Sequence, residues 1–297
     1  MKYLRIIILL VIVTSCGSSK RAIESSEKTD NTTTSVKTET PSKTEQEAKV
    51  IEEVEEVEEV KNMSITNTAK DTVIIATDDK PKVDKTIHSK LNQLLENYVT
   101  ETGNVDYQAI KVQREDLDNY INSLTSNTPT DSWTKEEKLA YWINAYNALT
   151  IDLILRNYPL KSIKDIKDPW DQRLWKFGDK WQNLNDIEHQ ILRKMNEPRI
   201  HFAIVCASFS CPKLQNEAFT AQNLEEQLTR ATKEFLADEA RNNISEDEIK
   251  LSKIFKWFAK DFKVEGSIID FLNKYTEVEI SSKAKKTFKD YNWDLND

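Results

Sequence analysis

Between His189 and Pro212 the chain concentrates two of its three histidines and two of its three cysteines, Cys206 and Cys211. A thiol becomes a nucleophile when a nearby base or positive field removes its proton, and the resulting thiolate can attack amides and esters. The apolar run from 201 to 206 reads as a buried strand. On a strand, alternation sets Cys206 on the face of Phe202 and Ile204 and turns His201 to the other face. His189, in the first turn of a helix expected over 186–195, is the freer partner. Backbone amides from Ala207 to Ser210 can be aimed at a developing oxyanion. Asn144 and Asn147 stand three residues apart on one helix face and are candidates to orient the imidazole. The catalytic candidates are thus Cys206 as nucleophile, His189 as base, and Asn144 or Asn147 as orienter.

Plainer chemistry fits the same residues. In an oxidising compartment Cys206 and Cys211 are a candidate disulfide closing a short loop. His189, His201, Cys206 and Cys211 are all zinc-ligand types, but they lack the paired close spacings of zinc fingers, so neither a metal nor a cofactor is expected. Two cysteines with four residues between them do not form the C-x-x-C pattern of a redox dithiol. The two asparagines can instead tie their helix to neighbouring loops. Glu188 has an ordinary explanation as an acidic residue in a helix's first turn.

Positioning these groups requires a helix-rich frame. Apolar residues at 87, 91, 94, 95 and 98 predict an amphipathic helix ending near Tyr98, and a turn follows at Gly103. A second helix is read over 115–124. Thr134 and Glu137 form a capping-box signature opening a long helix to about Asn157, stopped by Pro159. From Leu139 to Ile151 that helix is apolar nearly all round, as expected for one buried on most faces. Residues 174–177 and 180–184 read as a hairpin around Gly178 and Asp179. Asn185 is the expected N-cap of the 186–195 helix. Further on, helices are read over 222–237, 252–262 and 267–275, with a short strand at 249–251.

Lys2 and Arg5 precede an apolar run from Ile6 to Val13 that is too short to span a bilayer. With Val13, Thr14, Ser15 and Cys16 following, residues 1–15 resemble a bacterial lipoprotein signal, which implies acylation at Cys16. Residues 16–80 are rich in Ser, Thr, Lys and Glu, lack aromatics after the anchor, and read as a disordered acidic tether. As a random coil, such a tether reaches roughly 40 to 50 Å. Residues 81–297 read as one globular domain. The formal net charge of −8 gives no reason to expect nucleic-acid binding.

The runs 141–147, 186–189, 199–212, 257–262 and 291–296 resemble domain-of-unknown-function family 547, in order from about Val105 to the C-terminus. Members include bacterial envelope lipoproteins of this layout and eukaryotic proteins with the domain joined to other segments. The family implies no agreed activity. Asn292 stands where the family pattern has Asp, a departure expected to bear on packing. The reading is an α+β fold: one helix-rich domain with a small antiparallel sheet, preceded by a disordered tether. Its expected place is the outer membrane facing the periplasm, held there by the lipid anchor. Function divides between a binding or scaffold module for an envelope peptide or polymer and a thiol-dependent hydrolase or acyltransferase.

Overall fold

The computed structural model describes residues 87–297. The expected signal peptide, the expected acylation at Cys16 and the expected tether all fall outside the described residues. Of the described helices, none is long and apolar enough to cross a membrane.

The helix expected from the capping box organises everything else. The Thr134 hydroxyl accepts from the Glu137 amide at 3.1 Å, and the Glu137 carboxylate accepts from the Thr134 amide at 2.7 Å. Two orphan donors of a helix start are thereby satisfied. Pro159 bars the α conformation at Tyr158, which is extended, so the helix ends at Asn157. Around this helix, Lys135–Asn157, stand three others: α1 (Ser89–Tyr98), α2 (Tyr107–Val112) and α3 (Arg114–Ser126), which makes it α4. Every residue from Ile143 to Leu155 is buried. Asp152, with no exposure at all, accepts from Arg156 Nε at 2.7 Å and Trp175 Nε1 at 2.7 Å, and also pairs with Arg114. One carboxylate thus ties α3 and the following hairpin to the central helix.

That hairpin pairs β1 (Trp175–Phe177) with β2 (Lys180–Gln182), Lys176 facing Trp181. Gly178 has φ 56° while Asp179 stays at negative φ, the signs of a type II′ turn. Beyond α5 (Leu224–Ala237) lies a second core built on Phe202, Phe235, Phe255, Phe262 and Phe271. A three-stranded sheet covers it: β3 (Asn243–Ile244) runs antiparallel to β4 (Glu248–Leu251), and β4 pairs in parallel with β5 (Lys285–Phe288). Between β4 and β5 the chain forms α6 (Ile254–Trp257), a 3-10 turn (Asp261–Lys263) and α7 (Ile268–Asn273).

The fold class is therefore α+β, helix-rich with a small sheet, and it corrects the sequence reading at four places. Residues 201–206 form no strand. A 3-10 turn runs over Pro198–Phe202, with Pro198 in its first turn and the Glu197 carboxylate accepting from the Arg199 amide at 3.1 Å. A short apolar run buried on all sides has no period that separates strand from turn. The 186–195 helix is capped by Asn183 rather than Asn185 and changes its winding twice. The expected 252–262 helix stops after α6, at Phe258. Strand β5 was not foreseen, because Lys285, Lys286, Thr287 and Phe288 show no clear alternation; lysines of this kind suit an edge strand.

In the first core His88 is 2 % exposed, with Nδ1 2.7 Å from the Tyr120 hydroxyl. Burial pushes its pKa down to about 4 from an ordinary 6.5. The unfolded chain binds this proton first, so the folded state is at full strength above about pH 6.5 and loses stability as pH falls to about 4. Urea unfolding should show the parent losing about 3 kcal/mol more than His88→Asn across that window. Equal losses in the two proteins would remove His88 as the cause.

Candidate functional site

The chain from Leu184 to Met195 places the first polar groups. Asn183 Oδ1 accepts from the Asp186 amide at 2.6 Å and starts a single α turn, Leu184–Asp186. The backbone then widens into a π turn over Ile187–Ile191 and tightens into a 3-10 turn over Leu192–Met195. Widened turns of this kind shift side chains off the α-helical faces and recur at functional sites. Here Ile187 and Glu188 are both buried and His189 is half-buried beside them.

His189 belongs to a chain of four polar groups. Its Nδ1 lies 2.8 Å from Arg193 Nη1. A guanidinium has no lone pair to offer, so Nδ1 accepts and the proton of the neutral ring sits on Nε2. Burial, aided by the Arg193 charge, lowers the His189 pKa and keeps the ring neutral. Arg193 grips Asp261 with two bonds, Nε to Oδ2 at 2.6 Å and Nη2 to Oδ1 at 2.8 Å. His201, 3 % exposed, lies with Nε2 2.8 Å from Asp261 Oδ2 and stacks on Phe258 at 4.0 Å between ring centroids. Burial works to raise the Asp261 pKa, but the Arg193 fork and the His201 bond overcome it and hold the carboxyl well below the usual range. An ionised carboxylate only accepts, so His201 donates from Nε2. Burial keeps His201 neutral as well, against the pull of Asp261.

The two histidines of this chain border a cavity of about 330 Å³ walled by Trp170, Trp257, Phe258, Tyr291 and Trp293. Glu188 lies in it, 8 % exposed, with its Oε2 accepting from the Tyr146 hydroxyl at 3.4 Å. Burial raises the Glu188 pKa to about 7; the Arg193 charge and the Tyr146 hydroxyl oppose that rise, and Asp261 adds to it. A C-terminal tail carries the last two rings. The Leu295 amide donates to the Lys161 carbonyl at 2.8 Å and the Phe209 amide to the Asp294 carbonyl at 2.7 Å, so the tail lies between two loops. Asn292 donates from Nδ2 to Asp294 at 3.0 Å, a bond that a carboxylate at 292 could not make.

Cys206 and Cys211 also line the cavity and are joined in a disulfide, with 6.4 Å between their Cα atoms. In this state Cys206 has no thiol. Ala207, inside the closed loop, takes a left-handed φ of 56°, which costs a residue with a Cβ of order 1 kcal/mol. Tyr291 braces the loop: its hydroxyl lies 3.0 Å from Ser208 Oγ and 3.2 Å from Cys211 Sγ.

Residues 130–236 match the family model described as Protein of unknown function, DUF547. No curated protein and no solved structure matches the chain. The DUF547 segment supplies Tyr146, Trp170, Glu188, His189 and the disulfide. Trp257, Phe258, Tyr291 and Trp293 lie beyond its end, as does Asp261 of the polar chain, so the cavity is completed by chain outside the match.

Of the candidate residues inside the DUF547 segment, the fold brings His189 and Cys206 to one cavity and keeps both asparagines away from the imidazole. Asn144 exchanges two bonds with the Phe219 backbone, at 2.7 and 2.9 Å. Asn147 donates to the Ala203 carbonyl at 2.9 Å and accepts from the Val205 amide at 2.9 Å. Their amides are spent on loops, and the group that orients His189 is Arg193. The four zinc-type residues are not assembled either: the two sulfurs bind each other, and among the described residues no group of three or more His, Cys, Asp or Glu is placed to hold a metal ion. Sequence reasoning missed Glu188 as a buried group, since its position in the chain looks like a helix-start acid. It also missed Arg193 and Asp261. The spacing of His189 and Arg193, four apart, was the one local signal; Asp261 had none.

Replacing Asp261 with Asn should remove the negative charge from both Arg193 bonds and the acceptor of one of them, and cost about 2 kcal/mol. Chemical denaturation at pH 7 checks this, and a cost below about 0.5 kcal/mol would mean the Arg193 fork holds little.

Proposed function

We propose that the protein is a lipid-anchored binding module of the bacterial cell envelope whose aromatic cavity takes a small ligand or the end of an envelope peptide or polymer. One observation carries the binding part: a cavity of about 330 Å³ combines several large rings with few, placed polar groups, the composition of a ligand site. The oxidised state of Cys206 supports binding over thiol chemistry. The anchor rests on Lys2, Arg5, the apolar run and the Val13 to Cys16 pattern, with the tether holding the domain off the outer membrane on its periplasmic side. A second reading, a thiol-dependent hydrolase or acyltransferase, is favoured by one fact, that Cys206 and His189 line the same cavity. It requires reduction of the disulfide and release of His189 from Arg193.

Two experiments test these readings. Cys16→Ser should abolish palmitate labelling and move the protein from the membrane fraction to the soluble one; retained labelling would sink the anchor. Envelope peptides and glycan fragments should be screened by tryptophan fluorescence, with and without reductant, while hydrolysis is followed by mass spectrometry. Binding without reductant that weakens at least tenfold in Trp257→Ala supports the module. Turnover confined to the reduced arm and lost in Cys206→Ser would replace it with the hydrolase.

A further inference from the structure

The charge balance around the cavity narrows the chemistry of its ligand. Among the described residues, no lysine or arginine lines it. Of the cations around it, Arg193 is matched by the two bonds it gives Asp261, and Lys164 lies over the Trp293 ring. His189 and His201 are held neutral by burial, and burial holds the Tyr291 phenol up at about 12, so it too is neutral. Two carboxyl groups remain, Glu188 inside and Asp171 exposed at the edge. No salt bridge among the described residues involves Glu188, and its hydrogen bond from Tyr146 is long at 3.4 Å.

The rings have a matching property. Aromatic faces are electron-rich and attract cations, tryptophan most strongly. Trp257, Tyr291 and Trp293 form one continuous wall, with centroids 4.8 Å apart for Trp257 and Tyr291 and 4.5 Å for Tyr291 and Trp293, and Trp170 meets Trp293 edge-on at 5.8 Å. Trp293 already holds Lys164 Nζ over its ring at 4.5 Å.

Building on the reading of this cavity as a ligand site, we propose that it takes an organic ammonium cation, seated against Trp257 and Trp293 with the Glu188 carboxylate as its counter-ion. An anion would meet two carboxyl groups and no lysine or arginine in the lining. A neutral sugar would stack on the rings but leave the buried carboxyl without a charge to match. The cation supplies both interactions at once, and it stabilises the ionised form of Glu188, so binding releases a proton.

The groups that could confuse this linkage are His189 and Arg193 on the same segment, Tyr146 on α4, Asp261 and His201 across the polar chain, Tyr291 on the tail, and Asp171 at the edge. Of these, the two histidines have pKa values lowered by burial from the ordinary imidazole value, and a Glu188 variant separates their contribution from that of the carboxyl. The test uses the full, unreduced protein with four probes: choline, Nα-acetyl-lysine N-methylamide, N-acetylglucosamine and acetate. Calorimetry at pH 5.5, 7 and 8.5 reads Kd and proton release. The expected result is binding of one or both cations, roughly 30-fold tighter at pH 8.5 than at pH 5.5, because only the ionised fraction of a group with pKa near 7 is competent. Glu188→Gln should weaken binding at least tenfold at pH 8.5 and flatten the pH dependence. Trp257→Ala, at a residue 46 % exposed, should weaken it as well. Choline without the lysine derivative would point to a free or headgroup amine, and the reverse to a peptide side chain. Binding of the sugar or acetate with neither cation would overturn the cation while leaving the ligand site. A pH dependence that survives in Glu188→Gln would overturn Glu188 as counter-ion. Binding of no probe up to millimolar concentration would overturn both the cation and the ligand site.

Discussion

A helix surrounded on every side has to find a partner inside the protein for each polar side chain it carries, because no water is there to serve. From Ile143 to Leu155 α4 is in that position, and besides Tyr146, whose hydroxyl goes to Glu188, the groups concerned are Asn144, Asn147, Thr150 and Asp152. Thr150 returns its hydroxyl proton to the Tyr146 carbonyl at 2.9 Å. The other three reach outward: Asn144 fixes the chain at Phe219, Asn147 the chain at Ala203 and Val205, and Asp152 two arginines and the hairpin. The segment from Ala203 to Val205, which has no strand partner, is held by a side-chain amide in place of a ladder. The route of the chain into the Cys206 loop therefore follows from satisfying one buried asparagine.

A similar economy governs the cavity. Arg193 has two tasks, holding Asp261 ionised and fixing which nitrogen of His189 carries the proton. Asp261 in turn holds His201, whose ring packs flat on Phe258. Positive and negative charge in this chain cancel, and both imidazoles stay neutral. Glu188 stands outside that pairing, with burial as the largest influence on its proton. Two carboxyl groups within one small region are thus driven in opposite directions, Asp261 down and Glu188 up, by the presence or absence of a guanidinium fork.

Much of the frame was legible in the sequence because its signals are local. Thr134 with Glu137 and then Pro159 mark both ends of α4, and Gly178 before Asp179 marks the hairpin turn. The periodicity of Leu91, Leu94 and Leu95 marks α1 in the same way. The site was less legible, for reasons that differ residue by residue. The run 202–205 is apolar without a period. The π turn at Ile187–Ile191 has no composition that announces it, yet it decides that Glu188 is buried. Asp261 meets Arg193 and His201 from sixty or more positions away. The asparagines were read as either orienters or ties to loops; burial in the sequence pattern was visible, but the identity of the partners was not.

The parallel pairing of β4 with β5 bears on the cavity through direction. Leu251 and Phe288 lie opposite one another in the register, and the Lys289 amide continues the pairing to the Leu251 carbonyl at 2.8 Å. From those two points the strands leave the sheet side by side and heading the same way, one to Trp257 and the other to Tyr291. Antiparallel strands would have sent the two rings to opposite ends of the sheet. A slip of the register by two residues would offset them by about 7 Å, the outer limit of ring contact. The sheet therefore acts as a ruler for the cavity wall: the spacing of two aromatic rings is measured out by backbone hydrogen bonds between strands that do not line the cavity.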